Sequence, residues 1–388
     1  MEAEGVLNRE NEFLWCNATF EFLSKNLNPS IESLNLNTDH VDLNSARLIS
    51  QLMVDPNSQL IDLSLDQCRL TVNATIILIQ ALAQSKIRYL SLNRNVITNE
   101  VCDEIAKALS NNPPLEYLSL SSCYISADGC CSIAKALPQA KQLKTLILNS
   151  NCIFDKGCQE IANNISNTNI QEISVAENQI WFIDVLLKSI MGNQNITALD
   201  LSYNIVDLSL LVQCVKETPN LKSLAISGCK VNEGQVLLFL EELGRTQLST
   251  LIIDGLNYNQ LPIAWPHNQD VLWANRPNFE SLIRAIRTSQ TLDDLRFGFL
   301  DIKQINSIFD LYNENKLIRP IIISISDFGR TENNWVINFP DFVIEAPLST
   351  LKWTSRILPD EAHFFSTIFQ KSVFEGNPLD GLDISGTS

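Results

Sequence analysis

Residues 115–153 read LEYLSLSSCYISADGCCSIAKALPQAKQLKTLILNSNCI. Leu115, Leu118, Leu120, Cys123 and Ile125 stand in the pattern LxxLxLxx(N/C)xI, and Leu143, Leu146, Leu148, Asn151 and Ile153 stand in it again. Between the two copies lie a Gly-containing turn and the helix-like segment AKALPQAK. Self-similarity at a fixed period of this size marks a chain built from one small unit stacked side by side.

Working outward, the unit begins at Ile31, Leu60, Ile87, Leu115, Leu143, Ile170, Ile196, Leu221 and Leu248, at steps of 29, 27, 28, 28, 27, 26, 25 and 27 residues. In each copy the second and third apolar positions, such as Leu90 and Leu92, are two apart, so they share one side of a short strand. Tyr89, Ser91 and Asn93 face the other side. The spacing then turns helical: in EVCDEIAKALS, Val101, Ile105, Ala108 and Leu109 make one apolar stripe. Strand and helix alternate, which predicts parallel neighbouring strands.

The Asn/Cys position has a physical reason. The chain turns there and leaves backbone groups that the next copy does not fully pair. The amides of Asn95, Asn151, Asn178 and Asn204 can bond them, and Cys68, Cys123 and Cys229 offer a weaker donor of similar size.

Residues 31–258 therefore resemble the ribonuclease-inhibitor-like class of leucine-rich repeats, down to the alternation Cys68, Asn95, Cys123, Asn151. The resemblance implies an α/β solenoid, a horseshoe with a parallel β-sheet on its concave face and helices on its convex face. It implies little about function.

Outside that range the pattern loosens. Residues 1–30 do not fit the repeat, and NEFLWCNATFEFLSKNL reads as an amphipathic helical cap over the first strand. After Tyr258 the next start is Leu292, a step of 44 residues. Residues 259–278, rich in Pro and Trp, read as a loop inserted into one repeat, because proline cannot enter a sheet interior. Residues 279–388 read as degenerate repeats starting at Leu292, Ile318 and Leu348. A last copy at Leu379 stops before its helix, so the chain is expected to be a fragment of a longer protein.

The 388 residues exceed the usual limit of one core, which a stack of neighbours escapes. A net charge of −16 argues against nucleic acid and anionic membrane as partners, since both need Lys/Arg clusters. No apolar run is long enough to span a bilayer, and MEAEGVLNRENEF has neither region of a signal peptide. Ten cysteines without CxxC or zinc spacing, several on apolar faces, point to free thiols in a reducing compartment, the cytoplasm.

Chemistry is not legible. His40, His267 and His363 are scattered, and no HExxH, GxSxG, GxxxxGK[ST] or GxGxxG is present. The reading is a non-catalytic protein without cofactor or metal. Its function is assigned to the sheet face turned from the helices, where Asp62, Asp66, Tyr89, Arg94, Tyr117, Glu172, Glu177, Asp200, Tyr203 and Asp254 form an acidic wall with tyrosines. Such a wall suits a protein partner with a basic surface. Trp265 and Trp273 are a second candidate anchor. Two further readings stay open. The resembling class includes the GTPase-activating protein of Ran, which would make Arg94 the first residue to test. The richness in Asn and Ile matches AT-rich genomes of intracellular pathogens, whose repeat proteins act as effectors in host cells.

Overall fold

A leucine pair two residues apart calls for a strand barely longer than one pleat, and such strands form. The structure is a computed structural model describing residues 6–8, 16–253, 276–292, 294–297, 322–325, 351–353 and 382–383. It divides into two units, Met1–Asp200 and Leu201–Ser388.

In the first unit the strands are β1 (Val6–Asn8), β2 (Ser33–Asn35), β3 (Asp62–Ser64) and β4 (Tyr89–Ser91), then β5 (Tyr117–Ser119), β6 (Thr145–Ile147), β7 (Glu172–Ser174) and β8 (Ala198–Asp200). They pair parallel in chain order. Between them run α1 (Cys16–Asn26), α2 (Leu43–Val54), α3 (Val72–Leu82), α4 (Asn99–Ser110), α5 (Ala127–Ala136), α6 (Phe154–Ile165) and α7 (Asp184–Ile190).

The second unit holds α8 (Leu208–Glu217), β9 (Ser223–Ala225), α9 (Glu233–Leu243), β10 (Thr250–Ile253) and α10 (Arg276–Thr288). It continues with β11 (Asp294–Phe297), β12 (Ile322–Ile325), β13 (Leu351–Trp353) and β14 (Leu382–Asp383), and these strands also pair parallel in chain order.

All nine regular copies place their first strand residue two positions after the start read from sequence. The long step keeps register as well: Thr250 pairs with Asp294, and Thr291 Oγ1 donates to the carbonyls of Thr246 and Leu248 at 3.0 and 2.8 Å. One start needs correcting. Leu295 pairs with Ile323, so the next copy begins at residue 320 rather than at Ile318. The triple isoleucine makes the two registers indistinguishable by apolar pattern. Strand β1, at Val6–Asn8, pairs with β2 ahead of α1 and has no repeat signature in the sequence. The inserted loop lies almost wholly in 254–275, outside the described residues, as does most of 298–388.

The core sits between sheet and helices. The central leucines Leu34, Leu63, Leu90, Leu118 and Leu146 are 0–2% exposed, while their strand neighbours stay partly open apart from Ser119. Helix α4 shows how the other half of a repeat forms. Thr98 caps its start by accepting from the Val101 N–H, Val101, Cys102, Ile105, Ala108 and Leu109 are buried at helical spacing, and Asn112 at φ +50° and two prolines end it. Each fully buried Leu or Ile contributes about 1.5–3 kcal/mol over exposure.

The buried Asn/Cys column carries out the bonding expected of it. Asn151 Nδ2 donates to the carbonyls of Leu120, Leu148 and Asn149 at 2.8, 2.9 and 3.1 Å. Its Oδ1 accepts from the N–H groups of Cys123 and Ile125 at 2.9 and 3.0 Å. Cys123 Sγ donates to Leu92 O at 3.2 Å, and Cys68 Sγ to Leu36 O at 3.0 Å, the places that an Asn amide takes in its own copies. After Asn151 the strict alternation stops, with Asn178 and Asn204 in succession before Cys229.

Candidate functional site

The face of the first unit's sheet turned away from the helices is built in rows, because every repeat sets the same position beside its neighbour. Strand pairing lines up Asp62, Tyr89, Tyr117, Thr145 and Glu172 as one row. Tyr89 is 42% exposed, and its ring centroid lies 6.3 Å from that of Tyr117. Arg88 places its guanidinium carbon 6.0 Å from the centre of the Tyr89 ring. Asp62 accepts from Ser33 Oγ at 3.2 Å, and Glu172 accepts from Thr145 Oγ1 at 3.3 Å. These are single, long bonds, so the carboxylates keep acceptor capacity for a partner.

The next row is not free in this way. Asn37 Oδ1 accepts from Ser64 Oγ at 2.8 Å and from Asp66 N–H at 2.7 Å. Asp66 Oδ1 repeats the arrangement with Ser91 Oγ at 2.6 Å and Asn93 N–H at 2.8 Å. Asn93 Oδ1 does so with Ser119 Oγ at 2.7 Å and Ser121 N–H at 2.6 Å. Asn149 does so with Ser174 Oγ and Ala176 N–H at 2.6 and 2.9 Å. This second ladder ties repeat to repeat on the open face. Asp66 belongs to it, and its Oδ2 also accepts from Asn93 Nδ2 at 3.2 Å. Asp66 thus serves the backbone of the wall first.

Arg94, Glu177 and Tyr203 share a third position, one residue before the buried column. There φ is +57°, +55° and +59°, a left-handed turn that the first eight regular copies share. Arg94 and Glu177 are exposed, and Glu177 accepts from Ser150 Oγ at 2.5 Å. Asp200, half-buried, accepts from Ser174 Oγ at 2.9 Å. Tyr203 belongs to the second unit, whereas the other described candidates belong to the first. Asp254, Trp265 and Trp273 lie outside the described residues.

A charged rib just ahead of the strands escaped the sequence reading. Glu116 accepts from Arg88 Nε at 2.5 Å and from Lys144 Nζ at 2.6 Å, across three neighbouring repeats. The Lys144 ammonium, and then Arg88, hold its carboxyl below the usual carboxylate range. The signal was present as Arg, Glu and Lys in successive copies of one column, where a mixed-charge ladder needs alternating signs.

The thiols are quiet. The nine described cysteines are free, and all but Cys152 are buried. Burial pushes Cys102 and Cys158 up to about 12 and raises both members of the vicinal pair Cys130–Cys131. A thiol so shifted supplies little thiolate near neutral pH. Among the described residues no group of three or more His, Cys, Asp or Glu is placed to hold a metal ion. No described helix is long and apolar enough to cross a membrane.

The family model described as Leucine Rich repeat matches residues 111–134 and 141–162, the copies that start at Leu115 and Leu143. Those two copies are leucine-rich repeats. Among solved structures, this chain is similar to an internalin (inlF) from Listeria monocytogenes, with 14% identity and a TM-score of 0.38 over 82% of this chain and 88% of that one. It is also similar to the leucine-rich repeat-containing protein LegL7 from Legionella pneumophila, with 16% identity and a TM-score of 0.37 over 64% of this chain and 90% of that one. The comparison with curated proteins finds no match.

Proposed function

We propose that this protein is a non-catalytic interaction module that docks another protein on the open sheet face of its first unit, and that the partner presents a basic surface. The observation that carries this is the row Asp62, Tyr89, Tyr117, Glu172. Its rings and carboxylates project from a wall whose neighbouring row is locked by hydrogen bonds, so the contact residues are set in advance. Preorganisation lowers the ordering cost of binding, and tyrosines are strong contact residues. The excess of acid, −16 overall, steers a basic partner towards the wall.

The experiment is a pull-down from cell lysate read by mass spectrometry, with wild type beside the variant Asp62→Lys/Tyr89→Ser/Glu172→Lys. Specific partners should be lost from the variant while its melting temperature holds. A partner list shared by both proteins would remove the open face from consideration.

Three finer readings attach to this one. The column Cys68, Asn95, Cys123, Asn151 supports placement in the ribonuclease-inhibitor-like class. Arg94, exposed on a rigid left-handed turn, favours a second reading as a regulator of a small GTPase; absence of stimulated GTP hydrolysis across a panel of small GTPases would dispose of it. The free, buried thiols support a reducing compartment, the cytoplasm or, for an effector, that of a host cell. Fractionation of source and infected cells tests the last point.

A further inference from the structure

The starts of α2 to α5, α8 and α9 follow one rule, and the two neighbouring repeats that lead to α6 and α7 break it. Three residues past the buried Asn, Cys or Asp column stands a side chain that caps the next helix. Asp42, Thr71, Thr98 and Ser126 do this for α2 to α5, and Asp207 and Asn232 for α8 and α9. In the repeats leading to α6 and α7 the same column carries Phe154 and Trp181, and neither helix has a side-chain cap bond. Both rings stand in water: Phe154 is 42% exposed, Trp181 63%, and Phe182 beside it 66%. Two residues ahead of the capping column in the preceding repeat, Tyr124 is 75% exposed. Phe154 also holds φ +52°, which bulky side chains avoid.

Folding gives no reason for this. Ser or Thr fits that column and bonds the helix start, and large rings on a soluble surface are unfavourable unless something covers them. The rings are also held in place. Asp155 Oδ1 accepts from the N–H groups of Trp181 and Phe182 at 2.7 and 2.8 Å, and Phe154 N–H donates to Asn178 O at 3.2 Å. The residue next to one ring thus fixes the turn that carries the other two. Local rules broken in adjacent copies, with the result made rigid, mark a site kept for recognition.

Charge selects the occupant. The same edge carries Glu100, Asp128, Asp155 and Asp184 against Lys156, which is already paired with Asp128. A second copy of a chain with net charge −16 is repelled there. We propose that Tyr124, Phe154, Trp181 and Phe182 form a docking edge for a protein segment presenting apolar side chains flanked by Lys or Arg. This surface is separate from the open sheet face and does not depend on it.

The test is selection of binders from a random twelve-residue phage library on the whole chain. The best sequence is then synthesised and titrated by fluorescence anisotropy. Selected peptides should combine Leu, Phe or Trp with Lys or Arg. Trp181→Ser/Phe182→Ser should weaken the synthetic peptide at least tenfold, and Phe154→Asn, a residue that tolerates the left-handed φ at that position, at least threefold. The open-face variant Asp62→Lys/Glu172→Lys should stay within twofold. Equal binding by the edge variants, acidic consensus peptides, or no enrichment would each overturn the proposal. So would a wild-type dimer in sedimentation that the edge variants dissolve, because the occupant would then be a second copy.

Discussion

The ring of Tyr203 lies against the backbone of Gly228, its counterpart one repeat later: a Cβ on Gly228 would run into Cδ1 and Cε1 of that ring. The column containing both is left-handed at every regular copy up to this point, in Thr38, Gln67, Arg94, Ser122, Ser150 and Glu177 as well. Most members bear that strain with a side chain. Gly228 avoids it and also makes room for a tyrosine that stays 45% exposed.

Gly228→Ala should therefore lower stability by about 1–3 kcal/mol, through the φ of +59° and the displaced ring together. The reading is a lower urea midpoint at unchanged slope. In a Tyr203→Ala background the same change should lose only the part due to φ. Equal losses in both backgrounds would mean that the ring has nothing to do with the glycine.

Asn151 bonds five backbone groups from two repeats. Removing its amide leaves several of them buried and unpaired, at about 1–3 kcal/mol each. Asn151→Ala should thus be among the most destabilising single changes, comparable to Leu146→Ala at about 2–5 kcal/mol. Cys123→Ala removes only one weak donor and should lose about 1 kcal/mol or less. Thermal melting of the three variants side by side checks the order, and an Asn151 variant no worse than the Cys123 variant would contradict the ladder.

Asp66 separates wall from contact. Its carboxylate accepts three bonds from the following repeat, so Asp66→Ala should destabilise by about 1–3 kcal/mol. Asp66→Asn keeps an oxygen where Ser91 and Asn93 donate and should recover most of the loss. Asp62→Ala, with one long bond, should change stability by about 0.5 kcal/mol or less. An Asp66 variant as stable as the Asp62 variant would return Asp66 to the contact surface.

How much of this was readable beforehand follows from what periodicity reports. Leu34 to Leu251 recur because burial against the helices admits little else, so strand positions and the bonding of Asn151 and Cys123 were legible. The open-face ladder was not, because Asn37, Asp66, Asn93 and Asn149 look like ordinary surface residues until the following Ser is set beside them. Phe154 and Trp181 were legible in principle. Aligning each copy on its buried Asn/Cys column shows two rings where six copies carry Asp, Thr, Ser or Asn. An apolar residue in an apolar repeat hides as core unless its column is known to be solvent-facing. The start at Ile318 failed for the opposite reason, since a run of isoleucines fits two registers equally well.

The buried thiols give the stability a pH dependence of definite sign. Burial pushes Cys123 and Cys214 up to about 11 and Cys102 and Cys158 up to about 12, and it raises Cys68 and Cys130 well above the usual thiol range. These acids stay protonated in the native chain while the unfolded chain ionises near pH 8.5. Their contribution is complete below that pH and is lost as pH rises towards 11 and 12. The melting temperature should therefore be level from neutrality to about pH 8.5 and fall above it, with a shallower fall in Cys102→Ala/Cys158→Ala. At pH 8 an aromatic disulfide reagent should modify half-exposed Cys152 quickly, and the buried described thiols only as fast as the chain opens. Rapid modification of Cys102, Cys130 and Cys158 in the native state would show that the helix layer does not close over them, and with it the packing that defines each repeat would fail.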